Sequence, residues 1–160
     1  MSGVAGTTLI GSASSISASL ATAARRSSSI DIIRAFIPAS PFARELGIEL
    51  VELRPDEAEL RLRYTPRLAT LGDVVHGGAI AALLDTAGMA AAWSDDTPVE
   101  RAEGATVSMN VAYAGAAVAS DLTAHARVVR RRRTLCFCEV TVTDAAGEVV
   151  AHGSMVHRYG

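Results

Sequence analysis

From Gly78 to Trp93 the chain reads GAIAALLDTAGMAAAW, a helix-length run of strong helix formers whose one ionisable residue is Asp85. A helix apolar on every face belongs in an interior and not on a surface, so the run predicts one long buried helix with the rest of the fold built around it. An unpaired carboxylate there costs several kcal/mol or titrates abnormally high, so Asp85 needs partners or a chemical task. Immediately before the run stand His76, Gly77 and Gly78. Two glycines at a helix start leave backbone N–H groups bare, and with the positive end of the helix dipole they suit a developing oxyanion. His76 joins them as a candidate for orienting the loop and the substrate.

Spacing constrains the assembly. Gly77 and Asp85 are eight residues apart, about 12 Å along a helix axis, whereas attack requires reacting atoms within about 3.5 Å. One copy therefore cannot bring both to one reaction. Two antiparallel copies about a two-fold axis would set Asp85 of one subunit against Gly77 of the other, giving two composite sites and an obligate dimer.

The organisation along the chain agrees with one α+β domain. Residues 1–29 are Ser/Ala-rich, carry only Arg25 and Arg26 as charges, and read as a disordered extension before a domain over residues 30–160, an organelle-targeting segment being the lesser alternative. IDIIRAFIP predicts a short helix stopped at Pro38, and Ser40-Pro41 with Gly47 predicts a second, with an N-cap, Pro at N1 and a C-terminal Gly. Glu49–Arg54 and Glu57–Tyr64 read as a hairpin around Pro55-Asp56, the second arm alternating charged and apolar residues. After the helix comes an acidic loop, Ser94–Gly104, then four strands near Ala105–Tyr113, Asp121–Arg130, Thr134–Asp144 and Glu148–His157. Two strands, one buried helix and four strands describe a sheet wrapped round a helix.

Composition excludes several functions. A net charge of −2 argues against a nucleic-acid binder, and no uninterrupted apolar run is long enough to span a membrane. Cys136 and Cys138 lie two apart on a strand and read as buried reduced thiols, which points to the cytoplasm. The scattered His125, His152 and His157 have no metal-ligand spacing, so no metal or cofactor is expected.

His76-Gly77-Gly78, six residues, then Asp85 resembles the hotdog-fold acyl-CoA thioesterases of the phenylacetate-pathway, PaaI-like family. The resemblance extends through GATVSMNVAY (104–113), VVRRRRTLCF (128–137) and DAAGEVVAHGSMVH (144–157). It implies an antiparallel sheet around one long helix, assembled as a homodimer or a dimer of dimers. It also implies hydrolysis of an acyl-CoA thioester, with Asp85 as general base or nucleophile, the Gly77 N–H polarising the carbonyl, and Thr106 near the attacking water. Gly78 and Thr70 fall at substrate-binding positions, Thr70 standing where many relatives carry Asn. Arg132 replaces a glycine usual in the hairpin. Of the arginine cluster, Arg130, Arg131 and Arg133 are candidates to hold the CoA phosphates. A non-catalytic module of the same fold that binds acyl-CoA or a related ligand is the alternative; it would lack turnover.

Overall fold

The computed structural model describes residues 28–95 and 103–159. Most of the expected N-terminal extension and most of the acidic loop after the helix lie outside those residues. Two short helices, α1 (Ser29–Ala39) and α2 (Pro41–Leu46), lead into strands β1 (Ile48–Arg54) and β2 (Glu57–Leu62). The long helix α3 (Gly77–Ala92) follows, then β3 (Gly104–Tyr113), β4 (Leu122–Arg131), β5 (Leu135–Asp144) and β6 (Val149–Tyr159).

Local chemistry accounts for these elements. Ser28 caps α1 by accepting from the Asp31 N–H, and Ser40 caps α2 by accepting from the Ala43 N–H. Gly47 closes α2 at φ 77°, a conformation that favours glycine. Pro38 does not stop α1, which runs on to Ala39. In the last turn a proline removes just one intrahelical bond, and the Ser40 N–H donates back to Phe36 and Ile37 to close the end.

All six strands are antiparallel neighbours in one sheet, ordered β1-β2-β4-β5-β6-β3. The β1–β2 hairpin turns at Pro55-Asp56, Asp56 taking φ 63°, and β2 buries Ala58, Leu60 and Leu62 on one face. Helix α3 packs across β2, β4, β5 and β6. Leu83, Leu84, Ala87, Ala90 and Ala91 of the helix meet Leu60, Leu62, Ala124, Val140, Val142 and Ala151 of the sheet in one core. Each large aliphatic side chain buried there contributes about 1.5–3 kcal/mol. Close approach depends on Gly153: a Cβ at that position would lie 2.6 Å from Leu84 Cδ1 and 2.8 Å from the Asn110 carbonyl. This is the hotdog arrangement that the pattern of elements predicted.

A second expectation fails within the single chain. Helix α3 is not buried all round: Ala81, Ala82, Asp85, Thr86 and Met89 form a half-exposed stripe. A single sheet covers one side of a helix, and alanine-rich faces look alike in sequence, so composition could not say which side stays open. The edge strand β3 is exposed along nearly its whole length, with Val107, Met109 and Tyr113 showing large apolar surface. No helix among the described residues is long and apolar enough to cross a membrane.

Candidate active site

Asp85 sits mid-helix on the open stripe, and its partner comes from the edge strand. The Thr106 hydroxyl donates to Asp85 Oδ1 at 2.7 Å. A bulge between Thr106 and Ser108, where β3 slips its register against β6, lies beside this contact, and such bulges re-aim the side chains next to them. A hydroxyl that donates to one carboxylate oxygen leaves the other free to accept a proton, which suits Asp85 to basic or nucleophilic work.

The other end of the helix is built by three consecutive residues. His76 is the N-cap, and its Nδ1 accepts from the Gly78 N–H at 2.8 Å. In the neutral ring that bond leaves the proton on Nε2, on an exposed side chain. Gly78 is required for the cap, because a Cβ there would lie 2.9 Å from His76 Nδ1. The Gly77 N–H has no partner among the described residues and remains at the positive end of the helix. Thr70 lies on the exposed loop leading to His76, where its N–H bonds the Val74 carbonyl.

Tyr113 belongs to this end, and the sequence reading missed it. Its hydroxyl donates to the Gly77 carbonyl at 3.0 Å, and its ring would lie 3.3 Å from a Cβ on Gly77. The available signal was weak: an aromatic residue ending a strand in a chain with few aromatics. His157, read as one of three scattered histidines, also joins the site. It is buried on β6, in register with Thr106 on one side and Cys136 on the other.

The arginine cluster does not act as one. The Arg131 guanidinium turns inward, donating to the Ala92 carbonyl at the C-terminus of α3 and pairing with Asp56 and Asp95. A bulge between Val128 and Arg130 interrupts the strand alternation there, and the negative end of the helix favours a cation at this point. Arg130 and Arg133 are exposed. Cys136 and Cys138 are free, buried thiols with sulfurs 3.8 Å apart. Among the described residues no group of three His, Cys, Asp or Glu side chains is placed to hold a metal.

Asp85 and Gly77 thus stand at separate points of one helix, both half-exposed and each met by a β3 side chain, Thr106 and Tyr113. Comparison with known proteins identifies the fold and the family. A Mycobacterium tuberculosis protein named as an esterase is 34% identical over 120 residues, 72% of this chain and 83% of its own length. Human acyl-coenzyme A thioesterase 13 is 29% identical over 133 residues, 81% of this chain and 93% of its own. The zebra fish thioesterase superfamily member 2 structure superposes with a TM-score of 0.69 at 30% identity, over 81% of this chain and 94% of that one. The Escherichia coli PaaI structure, at 17% identity and a TM-score of 0.69 over 79% of this chain and 88% of its own, shares the fold. With the thioesterase superfamily profile matching residues 72–151, the chain belongs to the thioesterase superfamily.

Proposed function

We propose that this protein hydrolyses acyl-CoA thioesters as a homodimer, each site pairing Asp85 of one protomer with the Gly77 N–H of its partner. The observation that carries this reading is the Thr106–Asp85 bond on a helix face that stays half-exposed in the single chain. A dimer formed through β3 and the open stripe of α3 would satisfy both the unpaired strand edge and the exposed apolar side chains. It would also remove water from Asp85. The resemblance carries the further possibility that dimers pair into tetramers.

In the reaction, Asp85 takes a proton from water as the water attacks the thioester carbon. The developing oxyanion is held by the Gly77 N–H, and collapse of the tetrahedral intermediate expels the CoA thiolate. Asp85 attacking directly, through an anhydride, uses the same geometry. Single turnover in ¹⁸O water marks the anhydride route when water attacks the Asp85 carbonyl, which puts label in that carboxylate, and trapping of an acyl-Asp85 adduct by hydroxylamine marks it when water attacks the acyl carbonyl. His76 orients the loop through its cap to Gly78, Tyr113 holds the Gly77 peptide, and the exposed Arg130 and Arg133 are the remaining candidates for the CoA phosphates. The free buried thiols support a cytoplasmic location.

The test is thiol release from short, medium, long and aryl acyl-CoAs by the pure protein. Turnover of at least one class is expected, and the profile names the acyl group. Saturable binding of acyl-CoA without release of thiol from any of them would make the protein a binding module.

A further inference from the structure

His157 is a buried polar side chain that the mechanism above does not use. It is 3% exposed, and its Nε2 accepts from the Trp93 indole N–H at 2.9 Å, the two rings meeting edge to face. The acceptor position is fixed by packing, since a Cβ on Gly104 would lie 2.8 Å from that same Nε2 and 3.0 Å from the Trp93 ring. With Nε2 accepting, a neutral imidazole carries its proton on Nδ1. That Nδ1 is buried and has no partner among the described residues. Burial favours the neutral ring and holds its pKa below the usual histidine value; the Asp85 charge opposes the drop and Arg158 adds to it. His157 therefore lies within the field of the carboxylate. Thr106 is its cross-strand neighbour, so both side chains stand on the sheet face that meets α3.

A buried donor with no partner is costly, and native proteins commonly satisfy one with an internal water. Thr106 supplies the complementary group: its hydroxyl has given its hydrogen to Asp85 and keeps lone pairs that can accept. We propose that His157 is a positioning residue for Asp85: its Nδ1–H, through one bridging water, bonds Thr106 Oγ1 and keeps that hydroxyl donating to the carboxylate. Were the Nδ1 proton absent, Thr106 could turn its hydrogen away, and Asp85 would lose the bond that orients it. Trp93 sets the tautomer from the far side of the ring. This role rests on the hydrolase reading of Asp85, but the tautomer and its link to Asp85 do not.

Two substitutions divide the ring's functions. His157→Asn keeps a donor near Nδ1 and loses the acceptor for Trp93, whereas His157→Gln keeps the acceptor and loses the donor. With a turned-over acyl-CoA, His157→Asn should hold kcat within about threefold of the unsubstituted protein, and His157→Gln should lower it at least about tenfold at unchanged KM. The reverse order, or equal values for the two, would overturn the proposal and leave His157 as a packing partner of Trp93. ¹⁵N NMR of histidine-labelled protein gives a readout that needs neither turnover nor a substitution at His157. The ring should be neutral and Nδ1-protonated at pH 7, and in Asp85→Asn it should titrate at a still lower pH. An Nε2-protonated or charged ring at pH 7, or titration unmoved by Asp85→Asn, would overturn the proposal. If Asp85→Asn instead retains full turnover while both NMR results appear, the hydrolase reading of Asp85 fails and the His157–Asp85 link stands.

Discussion

Asp85 is the residue on which the proposed chemistry rests, and its environment states what a substitution should do. Asp85→Asn keeps the size of the side chain and its ability to accept from Thr106 but removes the base, so kcat should fall at least about 10²-fold while the dimer persists. Activity within threefold of the unsubstituted protein, measured by thiol release, would end the catalytic assignment. His157 makes a second prediction, about stability and pH. Its folded pKa lies below the ordinary 6.5 because burial disfavours the charged ring. Above about pH 6.5 the ring is neutral in both states and the native state bears no penalty. As pH falls below that value the unfolded chain binds the proton first, so stability declines until the folded ring itself titrates. In thermal melts between pH 7.5 and pH 5, His157→Gln should lose part of the fall in Tm seen with the unsubstituted protein. An unchanged slope would mean that other groups carry it.

At the level of elements, the contact between α3 and the sheet depends on small residues at a few crossings. Gly153→Ala places a methyl against Leu84 and, less forgivingly, the Asn110 carbonyl of β3. Overpacking of this kind typically costs about 1–3 kcal/mol, so a lower denaturation midpoint with an unchanged m-value is expected. A neutral result would show that β3 can move away from β6. The β4–β5 end, where the arginines lie, divides into two jobs. Removing Arg130 and Arg133 together should raise KM for acyl-CoA several-fold with kcat little altered, and should matter far less for acyl-pantetheine, which lacks the nucleotide phosphates. Equal losses with both substrates would remove these arginines from CoA binding. Arg131 belongs to the fold, since its guanidinium closes the C-terminus of α3 and pairs with Asp56 and Asp95.

For the whole molecule the central prediction is complementation. A subunit carrying Asp85→Asn and one carrying Gly77→Pro, which lacks the N–H, should each be inactive alone and should regain one working site of two in the heterodimer. Proven heterodimers that stay inactive would refute the shared site. Much of this architecture was legible in the sequence because its signals are local. Period-two alternation placed β2, cap and turn residues placed α2 and the Pro55-Asp56 turn, and the apolar run placed α3 to within a residue. The eight-residue spacing of Gly77 and Asp85 likewise needs only the rise of a helix to place them at separate points of α3, the premise of the proposed shared site. Tertiary structure decided what depends on residues distant along the chain. The open side of α3 follows from which face the sheet covers, and an alanine-rich helix does not encode that choice. Thr106 meets Asp85, Tyr113 meets Gly77, and His157 meets Trp93 because β3 pairs with β6 at the sheet edge beside the helix. Arg131 parts from its neighbours because a bulge and a helix end compete for it. Period and propensity act over a few residues, whereas register, bulge position and cross-strand neighbours are set by the packed sheet.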